Sequence, residues 1–347
     1  IAFSKNDIKD ITKVTSLFFP RIINKQVKKV FIKGNLEGEI IIPFNSTGSI
    51  GENYGFSGKI IDASINLPKG FLIKNLTSEL NFVNKKTNRS FTALVKNGSL
   101  LDFQLMDTEI NLNFGENVTK AKNFLHTNGE INLVKLKKIL SLFNLNFDFI
   151  KDIKGKIDIK TSVDFELKDK FKVKNLSYSS EGFTPSLEID TNKKEIIEKY
   201  LPEYEPIIIL KDSNIKLSNF KSGLFLQSEG LVKGKDNFDS FKIKKKYNYN
   251  KKVGDISGTL GLTNSKVRVS KLNYNKNIGE ESKVDFDVSF ILNKKYDIKK
   301  LSFISGKNKI LFLNLKLNKN FQIDDVKKLE VKTFIKGSKN NDFLVNK

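Results

Sequence analysis

Cysteine is absent from the 347 residues. This excludes disulfides and thiolate metal sites, and it suits a bacterial periplasm among other compartments. His126 is the only histidine, so a histidine pair for a metal and a relay of histidines are both excluded; its expected place is a helix end or a turn. No run of about 18 apolar residues occurs, and the first residues lack the charged, apolar and small-residue succession of a signal peptide. Any anchor or export signal is therefore expected outside this sequence. The first residue is Ile1 and the single methionine is Met106, so the sequence reads as an internal piece of a longer protein.

Arginine is nearly missing too. Only Arg21, Arg89 and Arg268 occur among the 61 basic residues, in a chain of net charge +22. A basic surface releases counterions from a phosphate backbone, but recognition of phosphate and bases favours the bidentate arginine fork that this sequence scarcely uses. The abundance of Lys, Asn, Ile and Phe, all with AT-rich codons, points instead to a compositional bias that raises the charge everywhere, and nucleic acid is not expected as a partner. Attraction to anionic lipid head groups is a further use for such lysines, at about 1 kcal/mol for each one near a surface.

What is present is a period of two. Ile157, Ile159, Thr161, Val163, Phe165 and Leu167 alternate with Asp158, Lys160, Ser162, Asp164 and Glu166, giving a strand with one apolar and one wet face. The pattern returns at Val284, Phe286, Val288, Phe290 and Leu292, and again at Leu311, Leu313, Leu315 and Leu317. Helical spacing is sparse: Leu136, Ile139, Leu140 and Phe143; Ile8, Ile11, Thr15, Phe18 and Ile22, interrupted by Pro20; and Lys193 to Leu201, stopped by Pro202. The expected fold is mostly β, an antiparallel sheet with a few short helices that hide only part of it.

Repetition is the second signal. Glycine is expected to open a strand at Gly38, Gly58, Gly129, Gly155 and Gly258, supplying a turn conformation. A second phrase has an extended start, a polar pair, a leucine and an aromatic. It reads Phe171, Val173, Lys174, Asn175, Leu176, Tyr178; then Tyr296, Ile298, Lys299, Lys300, Leu301, Phe303; then Val267, Val269, Ser270, Lys271, Leu272, Tyr274; with a partial copy from Phe71 through Asn75 to Leu76. Asn97 with Gly98, Lys154 with Gly155 and Ser305 with Gly306 read as hairpin turns. Residues 1–347 are expected to form one continuous repetitive β region with a soft division near 134–150.

The glycine-started strands, the stretch from Gly55 to Phe82 with its Leu67 and Pro68 turn, and the run from His126 to Leu167 resemble the AsmA-like proteins of bacterial envelopes, nearest to their YhdP-type branch. The resemblance implies an elongated, curled antiparallel sheet of repeated strand units enclosing an apolar groove. It also implies a periplasmic location, with an inner-membrane anchor outside this sequence, and a part in phospholipid transport toward the outer membrane. The partners it implies are phospholipid acyl chains and inner- and outer-membrane or envelope proteins. It brings no catalytic residues and no cofactor.

A tail of about sixteen carbons loses on the order of 10 kcal/mol when carried through water, at roughly 0.8 kcal/mol per CH₂. Transfer into a continuous apolar groove is nearly neutral. The expected lining is Ile157, Ile159, Val163, Phe165, Leu167, Val284, Phe286, Val288, Phe290, Leu292, Leu311, Leu313 and Leu315. By periodicity alone the same residues suit a closed sandwich core, and the rival reading is a structural or adhesion β-sandwich or β-solenoid of the cell surface without lipid cargo. The neighbouring carboxylates Glu37 and Glu39, Glu203 and Glu205, and Glu280 and Glu281 read as solvated pairs rather than as an acid and base flanking a cleft. No enzyme, metal or cofactor is expected.

Overall fold

The structure, a computed structural model, describes every residue except 1, 16–30, 50, 52, 68–69, 86–87, 143–149, 169–171, 192–194, 204, 293 and 335–339. It is mostly β, antiparallel, with few and short helices, the class that the two-residue period announces. The first strands are β1 Ala2–Asp7, β2 Phe31–Ile41, β3 Tyr54–Leu67, β4 Phe71–Lys85, β5 Asn88–Leu100, β6 Phe103–Phe114 and β7 Thr119–Asn132. Then follow β8 Ile150–Lys168, β9 Lys172–Thr191, β10 Ile207–Phe220, β11 Gly223–Lys233, β12 Phe238–Asn248, β13 Val253–Gly261, β14 Val267–Val269 and β15 Tyr274–Lys276. The last are β16 Ser282–Ile291, β17 Lys295–Ser305, β18 Asn308–Asn318, β19 Ile323–Thr333 and β20 Asn341–Asn346. Eighteen strands belong to one sheet, and β14 and β15 pair separately.

Two compact units can be distinguished. One comprises Ile1–Glu130 with Asp158–Ser180, the other Ile131–Ile157 with Glu181–Lys347, so that β7, β8 and β9 each have residues in both. The chain changes unit inside those three strands, and residues 134–150, the place of the expected soft division, belong to the second unit. In the first unit β1 through β7 pair each with the next. In the second, β10 to β13 and β16 to β20 do the same, with the β14–β15 hairpin inserted.

Of the three helical expectations, α1 spans Ile8–Thr15 and α2 spans Leu133–Leu142, while Glu195–Glu198 makes a single turn. Asp7 Oδ1 accepts the Lys9 amide at 2.7 Å and Asn132 Oδ1 accepts the Lys135 amide at 2.9 Å, satisfying N–H groups that a first helical turn leaves without partners. Phe18, Pro20, Ile22, Pro68, Phe143, Phe171 and Lys193 lie outside the described residues. Among the described residues no helix is long and apolar enough to cross a membrane.

The glycine expectation is corrected. Gly38, Gly58, Gly129, Gly155 and Gly258 lie inside strands and open none of them, and Gly98 with Asn97 likewise falls within β5. Their use is room. Gly38 and Gly58 face each other across β2 and β3; a Cβ on Gly58 would stand 2.3 Å from the Glu37 carbonyl oxygen and 2.7 Å from the Phe56 ring. An in-strand glycine here permits a close backbone approach and a ring laid over it. Lys154 with Gly155 is no turn either, whereas Gly306 (φ 53°) does lie in the turn between β17 and β18.

The recurring phrase encodes a bulge. Asn75 in β4 and Asn175 in β9, the second members of its polar pair, are left-handed at φ 52° each. In β17 the pairing runs Asp287 with Lys300 and then Val288 with Ile298, leaving Lys299 as the extra residue. Asp62, Asp107, Asp212 and Asn314 are left-handed in the same manner, at φ 52°, 40°, 46° and 50°. All of these positions but Lys299 carry Asp or Asn, the side chains that visit this region most readily, and each bulge changes the parity of the residues that follow it. In the third copy of the phrase the polar pair Ser270 and Lys271 lies in a 3-10 turn between β14 and β15.

Each unit has a local core at one end of its apolar face. In the first, Ile8 and Ile11 of α1 pack on Leu36, Ile60, Ala63, Ile73, Leu76, Val95 and Leu105. In the second, Val267 and Tyr274 of the inserted hairpin pack with Leu262 and Phe303, joined by Leu260, Val284 and Ile310. The hairpin is held by Lys276, only 1% exposed, whose ammonium donates to the carbonyls of Leu262, Thr263 and Ser265 at 2.6, 3.0 and 2.8 Å. Three donors meet three acceptors, which is the condition for burying such a group. Burial nonetheless lowers its pKa, against the opposing pull of Glu280 and Asp239.

Candidate apolar binding face

Residues directly opposite in an antiparallel ladder share a face of the sheet, so the registers of the second unit can be followed strand by strand. Beyond the capped end, one row runs Ile243, Gly258, Phe286, Leu301, Phe312, Leu329. The next runs Lys245, Ile256, Val288, Ile298, Leu315, Val326, and the next Tyr247, Gly254, Phe290, Tyr296, Leu317, Ile323. Seventeen of these eighteen positions carry apolar or aromatic side chains or glycine, the exception being Lys245, and only Tyr247 and Tyr296 supply hydroxyls. Most are half-buried; Leu315 is buried and Ile323 is 65% exposed.

Aromatic rings close the far end of this face. Phe290 stacks on Tyr247 (centroids 6.2 Å apart, 17° between planes) and Tyr296 on Phe321 (4.7 Å, 21°). The opposite face of the same strands is polar. Thr259 donates to Asp285 at 2.8 Å, Ser289 to Asp255 at 2.6 Å, and Lys242 pairs with Glu229 at 2.7 Å. Asymmetry of this kind means that one side of the sheet is built for water and the other is not.

The expected lining residues divide. Val284, Phe286, Val288 and Phe290 lie on the apolar face and are half-buried, Val284 within the capped end. Leu292 follows the end of β16 and is 52% exposed. Leu315 is on the face, but Leu311 and Leu313 are not: they stand opposite Ser302 and Lys300, whose own partners are Asp285 and Asp287. The reason is Asn314, whose left-handed backbone intervenes between Leu313 and Leu315 and moves them to opposite sides. Along β8, Ile157 is buried and Ile159, Val163, Phe165 and Leu167 are half-buried, and no residue of that stretch is left-handed. Ile298, Leu301, Phe312, Tyr296, Ile256 and Tyr247 are lining residues that the unbroken alternation did not select. The repeated phrase carried the signal for the β17 members, because its polar pair is where the parity changes.

The first unit repeats the plan with Phe56, Leu80, Phe82, Phe91, Ala93, Ile110 and Leu112 on one face through successive pairs. Glu37 and Glu39 fall on the other face, opposite Lys59 and Ser57. Glu203 is held below the ordinary carboxylate value by its hydrogen bond from Lys266 at 2.6 Å, with Lys235 adding to the effect. His126 sits in β7, not at a helix end or turn; its Nε2 meets Asp158 Oδ1 at 2.8 Å, and Asn128 donates to Oδ2 at 3.0 Å. Among the described residues no group of three or more His, Asp or Glu is placed to hold a metal ion. No protein-family model matches the chain. No curated protein matches it, and no solved structure does.

Proposed function

We propose that this chain is a segment of an intermembrane lipid-transport bridge of the AsmA-like, YhdP-type kind, in which the apolar face shields phospholipid acyl chains. The observation that carries the reading is the second unit's face: three successive rows of apolar side chains across six strands, beyond an end that the chain's own hairpin covers. A sheet with so much apolar surface on one side and a predominantly polar reverse side has use for an apolar occupant. Passive sliding along such a surface requires no covalent intermediate and no cofactor, and we read the chain as non-catalytic. Periplasmic location, an inner-membrane anchor outside this sequence and contacts with both membranes belong to the same proposal.

The local cores at the capped ends equally suit a structural or adhesion module of the cell surface whose apolar faces meet each other. Native mass spectrometry after detergent-free purification separates the two. The expected result is co-purified phospholipid that is lost in Val288→Asp and retained in Asp287→Asn on the reverse face. Lipid-free protein from a lipid-replete host would overturn the transport reading.

A further inference from the structure

Beyond the capped end, the three apolar rows of the second unit contain one cation among the described residues. Lys245 stands in β12 between Ile243 and Tyr247 on the same side, opposite Leu226 in β11 and Ile256 in β13. Its sequence neighbours Lys244 and Lys246 are on the polar side, where Lys244 lies over the Phe225 ring at 5.6 Å. The positions around Lys245 are Leu224, Leu226, Ser228, Gly254, Ile256 and Gly258, none of them a carboxylate; Asp239, on the same side of β12, lies at the capped end and is taken up by hydrogen bonds from Asn264. It is half-buried, and among the described residues its ammonium has neither an ion pair nor a hydrogen bond. An ammonium set among apolar side chains without a counter-charge is open to an anion, to which it can donate a charge-assisted hydrogen bond.

Resting on the reading of this face as an acyl-chain surface, we infer that Lys245 is the head-group anchor for an anionic amphiphile, taking a carboxylate or a phosphate at its ammonium. The row that starts at Lys245 continues through Ile256, Val288, Ile298, Leu315 and Val326. Five strand spacings give about 24 Å along the surface, room for a long acyl chain laid across the strands with its head at the lysine. A cation at one end of an apolar row binds the charged head and leaves the tail's hydrophobic contacts unchanged, so it selects for charge without setting tail length.

The test uses the whole chain, stripped of lipid on a hydrophobic resin, and isothermal titration with three ligands of one tail: oleate, oleyl phosphate and oleyl alcohol. Lys245→Met is expected to weaken an anion on the order of tenfold while leaving the alcohol unchanged. Lys245→Arg restores the anion, and Lys244→Met on the reverse face has no effect. The anion whose affinity falls identifies the head: phosphate, carboxylate or both. If Lys245→Met binds all three as the parent does, the inference is overturned and the acyl-chain reading survives. If the parent binds none of the three, both fall. Unchanged binding of the alcohol by Lys245→Met shows that the variant is folded.

Discussion

Gly254 lies beneath the ring of Phe290. The two residues face each other across β13 and β16, and a Cβ on Gly254 would stand 2.2 Å from Phe290 Cζ. The missing side chain in β13 is what allows Phe290 to reach Tyr247 on β12 and stack with it.

Gly254→Val should therefore push the ring aside and break the stack. Overpacking of this kind costs about 1–3 kcal/mol, read as a lower urea midpoint at unchanged slope, with a change in near-ultraviolet circular dichroism from the tyrosines. Combined with Phe290→Ala, the valine should cost much less than alone, because the clash is gone. Additive effects in the double variant would contradict this account of the contact.

The parity change at Asn314 predicts a contrast between neighbours of one kind. Leu315→Ala removes a side chain 6% exposed on the apolar face and should destabilise by about 2–4 kcal/mol. Leu313→Ala, two residues away on the reverse face and half-buried, should cost roughly half as much or less. Chemical denaturation of the two variants side by side checks it; equal losses would mean that the leucines share a face after all.

A pH effect follows from Asp158. Burial raises its pKa, but the hydrogen bonds from His126 and Asn128 outweigh burial and hold it below the ordinary 3.8. A carboxylate lowered in the folded state contributes stability that is present above its unfolded value and is lost as pH falls through the folded one. The side chain is 41% exposed, so screening limits the effect to below about 1 kcal/mol. Asp158→Asn should flatten stability against pH below 4, within the range where the parent still gains from the ionised group. A parent and variant with parallel acid profiles would remove Asp158 from the account.

Much of the sheet was legible from period two alone, as at Ile159, Val163, Phe165 and Leu167, because alternation along an unbroken strand leaves only one face to hide. Leu311 and Leu313 were misread for the same reason: alternation assumes no bulge, and Asn314 makes one. Glycine was misread as punctuation at Gly58 and Gly258, since a residue without a side chain marks a turn and a tight strand crossing equally well in one dimension. The candidate site was only partly visible. Val288 announced itself, while Ile256 and Ile298 became its neighbours only through pairing.

What the chain's own order of residues determined is local: strand or helix, and which side of an uninterrupted strand repels water. Those properties depend on backbone geometry within a few residues. The register between strands, the faces on either side of each bulge and the isolation of Lys245 among apolar side chains were decided by tertiary structure, because they arise from hydrogen bonds between segments whose partners no stretch of sequence specifies by itself.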